Sequence, residues 1–418
     1  MRLDRGLLAQ AGAALAGLLE FSQPADELLS RFFRAHRALG QQDRAFIAES
    51  AFAVLRRLRS LEAAAGSREP RALLIAALVR VLGLSGRALE GVLEPGEPAL
   101  VARIKATRLE QLAKPVRADL PDWLWDRLVA EHGEAQAMEL AHGLLNPAPL
   151  DLRVNLARAS RDTVLKALKE AGFEGNATAY SPAGIRLAGK PAINRHALFS
   201  EGLVEVQDEG SQVLAWLLGP RRGEMIADYC AGAGGKTLAI AMLMRGSGRV
   251  YAMDVSAGRL AALAPRAARA GITNVHPIVL AGDNDARVKR LSGKIDRVLV
   301  DAPCSGFGTL RRSPGLKWRH GPAAIGEFAA KQARILDTAA TLVKPGGRLV
   351  YATCSILHDE NEAIADSFLS RHAEFGAVSC AGILSAQRIA LDTGERLRLW
   401  PHLHGTDGFF AAAFERAA

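Results

Sequence analysis

The sequence predicts an α/β protein: a doubly wound, mostly parallel sheet, preceded by a small α/β module and an all-α segment. Three observations carry this. From about residue 206 onward, short apolar runs (MIADYC, GRVYAMDV, NVHPIVLAGD, DRVLVDAP, GRLVYATCS) alternate with helical stretches such as GGKTLAIAMLMRG and GRLAALAPRAARAG. That alternation folds as parallel strands joined by crossover helices. A glycine-rich loop, CAGAGGKT at 230–237, follows the first of these strands. Upstream, residues 1–146 carry apolar positions at helical spacing throughout.

In chain order, MRLDRG followed by LLAQAGAALAGLL has the look of a leader peptide. Asp4 and Gln10 interrupt it and no small-residue cleavage site follows, so a core helix is expected. Helical periodicity continues through DELLSRFFRAHRAL, DRAFIAESAFAVLRRLRSLEAAAG, PRALLIAALVRVLGL and PDWLWDRLVAEHG. Arg31, Arg34, Arg37, Arg44, Arg56, Arg57 and Arg59 stud the polar faces, where they are either solvated or form a phosphate-binding surface. NPAPLDLRVNL changes character: proline breaks the helix and DLRVNL alternates like a strand. RDTVLKALKEAGF is then a helix stopped at Gly172, and GIRLAG another strand. The expected domains are 1–146, 147–205 and 206–418.

The 418 residues carry a net charge of +9, with a pI near 9.6. Such a balance favours a polyanionic partner, of which nucleic acid is the commonest. Four cysteines without a C-x-x-C make neither a disulfide framework nor a zinc site, which places the chain in reducing cytoplasm and predicts no metal. No run approaches the length of a membrane span. A monomer is expected.

Two readings compete for the glycine loop. In a phosphate-binding P-loop, Gly235, Lys236 and Thr237 fit the end of the motif, but Cys230 stands where its first glycine belongs. Asp301 would then hold magnesium in a nucleotide hydrolase. In the other reading, Cys230, Ala231, Gly232, Ala233, Gly234, Gly235 and Lys236 form a turn that brings backbone close to S-adenosylmethionine. Asp228 closes the first strand and shapes the pocket. Asp254 ends the next strand, where a carboxylate reaches ribose hydroxyls, with Arg259 beside it. Asp283 ends a third, near the adenine. Acidic strand ends suit a sulfonium ligand better than a triphosphate.

Two thiols follow the next two strands: Cys304 in DAPCSG and Cys354 in YATCS. With strand order 3-2-1-4-5, strands four and five are neighbours about 4.8 Å apart, so both thiols face one crevice beside the cofactor loop. A thiol is the best side-chain nucleophile near neutral pH. Cys230 and Cys380 read instead as small buried hydrophobes.

DAPCSGFGT, YATCS, DYCAGAGGKT, VEVQDEGSQ and HGTDGFFAAAFER together resemble the motif series of RNA cytosine-5 methyltransferases with two active-site cysteines. LGQQDRAFIAESAFAVLRRLRSLEAA is similar to the NusB-like domain of the bacterial RsmB-type members. The resemblance implies a Rossmann-like methyltransferase domain, a small RNA-binding module and an all-α NusB-like domain, with S-adenosyl-L-methionine as cofactor. It implies that Cys354 is the nucleophile, that Cys304 assists release, and that Asp301 orients the cytosine. The expected substrate is a single-stranded or loop region of small-subunit rRNA, with transfer RNA as alternative. One departure is visible: where the family commonly has Ala-Pro, this loop has Gly232 and Ala233. The basic stretch RRSPGLKWRH, with Arg311, Arg312, Lys317 and Arg319, offers a contact to the RNA backbone, a solvated loop being the alternative. Rival functions are a P-loop ATPase and a non-catalytic RNA assembly factor.

Overall fold

The structure is a computed structural model that describes residues 3–282 and 285–418; Asp283, expected beside the adenine, lies outside the described residues. The chain forms two compact units. One takes the chain up to Pro147 and regains it at Thr309–Ala323; the other comprises Ala148–Gly308 and Ala324–Ala418.

The first unit is helical. The N-terminal apolar run is a core helix, Arg5–Leu18, started by the Asp4 carboxylate, which accepts the Leu7 N–H at 2.8 Å. Leu8, Leu15, Ile47, Leu55, Leu58, Leu73 and Leu74 form its buried centre with the helices Gln41–Arg56, Leu58–Ala65 and Pro70–Arg80. The basic stretch RRSPGLKWRH belongs here, and it is not a solvated loop: Arg311 and Lys317 are buried, while Arg312 and Arg319 are half-buried. Trp318 packs against the helical core and its Nε1 donates to the Leu55 carbonyl at 2.8 Å. Lys317 is 2% exposed and donates to the Arg56 carbonyl at 2.8 Å, and Arg311 is 7% exposed. Trp318 ties the segment to the core, and Lys317 beside it is buried with it.

The second unit carries two sheets. β1 (Leu150–Val154), β2 (Gly175–Ala177), β3 (Gly184–Leu187) and β4 (Val204–Val206) pair antiparallel in the order β2-β3-β1-β4. The helix Arg161–Glu170 buries Val164 and Leu168 in the core that the sheet shares. Gly172, with φ +79°, follows that helix as its spacing predicts.

The large sheet contains β5 (Met225–Tyr229), β6 (Arg249–Asp254), β7 (Val275–Val279), β8 (Ile295–Asp301) and β9 (Val343–Thr353), all parallel. β10 (Phe375–Val378), β11 (Leu397–Leu399) and β12 (Phe409–Arg416) complete it in the order β10-β12-β9-β8-β5-β6-β7, with β11 on β12. The parallel strands thus follow the expected 3-2-1-4-5 order. β12 enters antiparallel between β9 and β10, Phe410 opposite Thr353. Among the described residues no helix is long and apolar enough to cross a membrane.

The two sheets of this unit are tied by polar contacts. Asn155 donates to the carbonyls of Gly202 at 3.1 Å and Ala270 at 2.9 Å. Glu205 on β4 pairs with Arg269 at 2.7 Å and Arg266 at 3.4 Å. Arg153 on β1 donates to the Gly235 carbonyl at 2.8 Å, and Arg266 to that of Ala233 at 2.5 Å. The small sheet therefore grips the glycine loop directly.

Candidate active site

The glycine loop turns at the carboxyl end of β5. Cys230, Gly232 and Gly234 have φ of +74°, +56° and +82°. A Cβ at Gly234 would collide with the Leu263 side chain, so glycine is required there by both conformation and space. At Gly232 a Cβ would meet nothing within 4 Å, so the departure from Ala-Pro leaves an open face on the turn. Ala231 N–H donates to the Met253 carbonyl at 2.8 Å and Gly232 N–H to Asp254 Oδ2 at 2.8 Å, which pins the loop to β6. Cys230 keeps its thiol against the core beside Tyr229, and burial pushes that thiol well above its usual range.

Asp254, 3% exposed, holds Gly232, Ser256 N–H at 2.7 Å and Arg259 at 3.1 Å. Arg259 itself is exposed. Asp228 lies deeper. Its Oδ2 accepts the Thr237 hydroxyl at 2.6 Å, while buried Oδ1 has no hydrogen-bond partner. Burial pushes its carboxyl up to about 7. Thr237 is therefore turned inward and fully buried. In a P-loop that hydroxyl would face a magnesium ion, so its burial counts against the nucleotide-hydrolase reading.

Lys236, at the start of the helix Gly235–Leu243, crosses to Asp301 at the end of β8, at 2.7 Å, and lies 5.6 Å from the centre of the Phe409 ring. Burial would lower the Lys236 ammonium, but the Asp301 carboxylate outweighs it and holds the lysine above its usual range. Asp301 keeps part of its side chain open to solvent.

The two thiols follow β8 and β9, and their sulfurs lie 3.4 Å apart. Both cysteines are half-buried, whereas Cys380 is buried with its thiol toward the Ala411 carbonyl. The hydrogen bond to Cys354, then burial and the charges of Cys354 and Glu360, push the Cys304 thiol well above its usual range. The loops are held by close backbone approach: Gly308 N–H donates to the Cys354 carbonyl at 2.8 Å and Gly408 N–H to Gly308 at 2.8 Å. A Cβ at Gly308 would collide with the Gly408 carbonyl. The crevice thus gathers Cys304, Cys354, Asp301 and Lys236.

One residue here escaped sequence reasoning. Glu360 is fully buried and accepts hydrogen bonds from both thiol loops, through Ser305 and Ser355. Its only sequence signal is an acidic residue five positions after CS.

A glycine turn on the first parallel strand, acidic strand ends, and paired thiols across the crevice define a Rossmann-like methyltransferase. A family model described as 16S rRNA methyltransferase RsmB/F matches residues 215–415, and one for the ferredoxin-like domain of the same proteins matches 120–194. The probable ribosomal RNA small subunit methyltransferase B of Synechocystis is 38% identical over 311 residues, 74% of this chain and 69% of that protein. The Bacillus subtilis protein of the same description is 33% identical over 300 residues, 71% of this chain and 66% of its own length. The matched stretch spans about two thirds of those relatives. The crystal structure of PH0851 superposes with a TM-score of 0.79 at 27% identity, covering 100% of both chains. The chain belongs to the RsmB/F family of ribosomal RNA methyltransferases.

Proposed function

We propose that the protein methylates carbon 5 of a cytosine in small-subunit ribosomal RNA through a covalent cysteine adduct. The observation that carries this reading is the pair of sulfurs 3.4 Å apart across the ends of β8 and β9. Methylation of an exocyclic amine or a ribose hydroxyl requires no thiol pair. Carbon 5 of cytosine requires one nucleophilic thiol, because it is a poor nucleophile until a group has added at carbon 6, and the second thiol is then at hand for the release.

S-adenosylmethionine supplies the methyl group, as a sulfonium whose carbon is electrophilic. The left-handed turn at Cys230, Gly232 and Gly234 brings backbone close to that ligand, and the open face at Gly232 leaves it room. Asp254 is placed for the ribose, with Arg259 at its rim. Asp228 shapes the floor, behind Thr237.

Cys354 acts as nucleophile: its thiolate forms a bond to carbon 6, and the electron pair moves toward carbon 5 and the ring. Asp301 faces the cytosine edge and favours that addition, with Lys236 holding the carboxylate in place. After carbon 5 has taken the methyl group it still carries a proton. Loss of that proton returns the electron pair and breaks the bond from carbon 6 to the Cys354 sulfur. Cys304 assists this release: held as a thiol, it donates to the departing Cys354 sulfur 3.4 Å away, while solvent water takes the carbon-5 proton. The cytosine must leave any stack to reach the thiols, at a cost of roughly a few kcal/mol, least in single-stranded RNA. The excess of basic residues favours the RNA backbone.

Replacing each thiol separates the roles. Cys354→Ala is expected to abolish methyl transfer from labelled S-adenosylmethionine to ribosomal RNA. Cys304→Ala is expected to accumulate a covalent protein–RNA species that survives denaturing electrophoresis. An adduct with Cys354→Ala but not with Cys304→Ala would reverse the assignment. Bisulfite mapping of RNA from cells with and without the protein identifies the cytosine.

A further inference from the structure

Glu360 lies in the turn after β9, fully buried. Its Oε1 accepts the Ser305 N–H at 2.8 Å and the Gln332 side-chain amide at 3.0 Å. Its Oε2 accepts the Ser305 hydroxyl at 2.5 Å and the Ser355 hydroxyl. Ser305 follows Cys304 directly and Ser355 follows Cys354 directly. One carboxylate therefore binds the residue next to each thiol.

The partners are all donors, and among the described residues none is a cation. An ionised carboxylate is acceptor-only, with room for about four donors. A glutamine would turn an NH₂ group toward the two serine hydroxyls, which would have to rotate to accept, so only glutamate takes all four donors as they stand. Gln332 extends the clamp by donating also to the Pro303 carbonyl at 3.0 Å, just before Cys304. Tyr351 on β9 fixes the turn, its hydroxyl donating to the Glu360 carbonyl at 2.5 Å. Burying a carboxylate without a cation is costly. Packing alone would be served better by an apolar residue, so the charge points to a role in the site.

We propose that Glu360 is the positioning residue of the two-thiol site, clamping the Cys304 and Cys354 loops through Ser305 and Ser355 so that the sulfurs keep their spacing and unequal reactivity. This rests on the cytosine-5 reading for its place in catalysis, but the clamp itself does not. The Glu360 charge disfavours a thiolate at Cys304 and so helps keep that thiol protonated. Glu360 thereby adds to an asymmetry set first by the hydrogen bond to Cys354 and by burial, although its own hydrogen bonds go to neither sulfur.

The test compares full-length wild type with Glu360→Gln. Each thiol's alkylation rate by iodoacetamide is followed by peptide mass spectrometry, alongside methyl-transfer kinetics. The expected result is a ratio of Cys354 to Cys304 rates that shrinks about fivefold or more. With it, kcat falls about tenfold or more at unchanged KM for S-adenosylmethionine, as when reacting groups lose alignment. A folded Glu360→Gln with wild-type thiol ratio and kcat overturns the proposal. If Glu360→Gln does not fold, Ser305→Ala and Ser355→Ala decide: an unchanged ratio in both overturns it, and a shrunken ratio in either supports it. Failure of the cytosine-5 reading would appear differently, as wild type that transfers no methyl group to RNA while its thiols still react unequally.

Discussion

At the scale of single residues, burial sets the protonation of the groups around the cofactor loop. Asp228 has one oxygen on Thr237 and the other unpaired in the core, and its carboxyl is pushed up to about 7. Between its ordinary value and about 7, the folded state holds a proton that the unfolded chain has already released. Its contribution to stability is therefore intact in acid and lost as pH rises through that window. Asp228→Asn removes the titrating group. Urea unfolding of both proteins at pH 5 and pH 8 should show the balance moving toward the variant at the higher pH, by about 1 kcal/mol or more. Parallel pH profiles would remove the burial explanation. The sequence located Asp228 at a strand end but could not show that its partner is Thr237, because the motif reading gives that hydroxyl to a ligand.

At the scale of elements, regular patterns were legible and buried charges were not. The strands β5 to β9 announced themselves as apolar runs, and they take the 3-2-1-4-5 order expected of a doubly wound sheet. The crevice of Cys304, Cys354 and Asp301 could be read from that order, since strand ends are fixed by topology. Glu360 could not, because nothing local marks an acidic residue in a turn as the acceptor for two distant serines. RRSPGLKWRH deceived for a related reason: its charges suggest a surface, yet Trp318 packs against the helical core. Lys317 is left buried, its ammonium pushed down to about 7 by burial and by Arg56 and Arg57, against the pull of Asp119. Here the unfolded chain binds the extra proton, so stability rises with pH from about 7 toward the ordinary lysine value. Lys317→Met keeps the stem, loses one hydrogen bond and removes the charge. It should stabilise the protein by on the order of 1–3 kcal/mol at pH 6, and by less at pH 9. Thermal unfolding at the two pH values checks it, and a loss of stability at pH 6 would mean that the pull of Asp119 and the bond to the Arg56 carbonyl together outweigh the cost of the buried charge.

At the scale of the molecule, the small antiparallel sheet acts on the cofactor loop as a brace. Arg153 and Arg266 hold the carbonyls of Gly235 and Ala233, and Glu205 and Asn155 hold the helix that carries Arg266. The seam depends on Gly202, whose φ is +72° and where a Cβ would strike the Arg269 backbone. An alanine there must adopt a left-handed backbone, costing about 1–2 kcal/mol. It must also push the helix away from β4, so the total loss should reach about 2–4 kcal/mol. Gly172 is the natural control, because its φ of +79° imposes the same backbone cost while a Cβ would meet nothing within 4 Å. Gly172→Ala should therefore lose only the conformational part and bind S-adenosylmethionine as wild type does. Gly202→Ala should bind it more weakly, by about tenfold, since a displaced helix takes the Arg266 contact from the loop. Calorimetric titration with S-adenosylmethionine, beside thermal unfolding of both variants, measures the two effects. Equal affinity in Gly202→Ala and Gly172→Ala would show that the small sheet stabilises the unit without shaping the cofactor site.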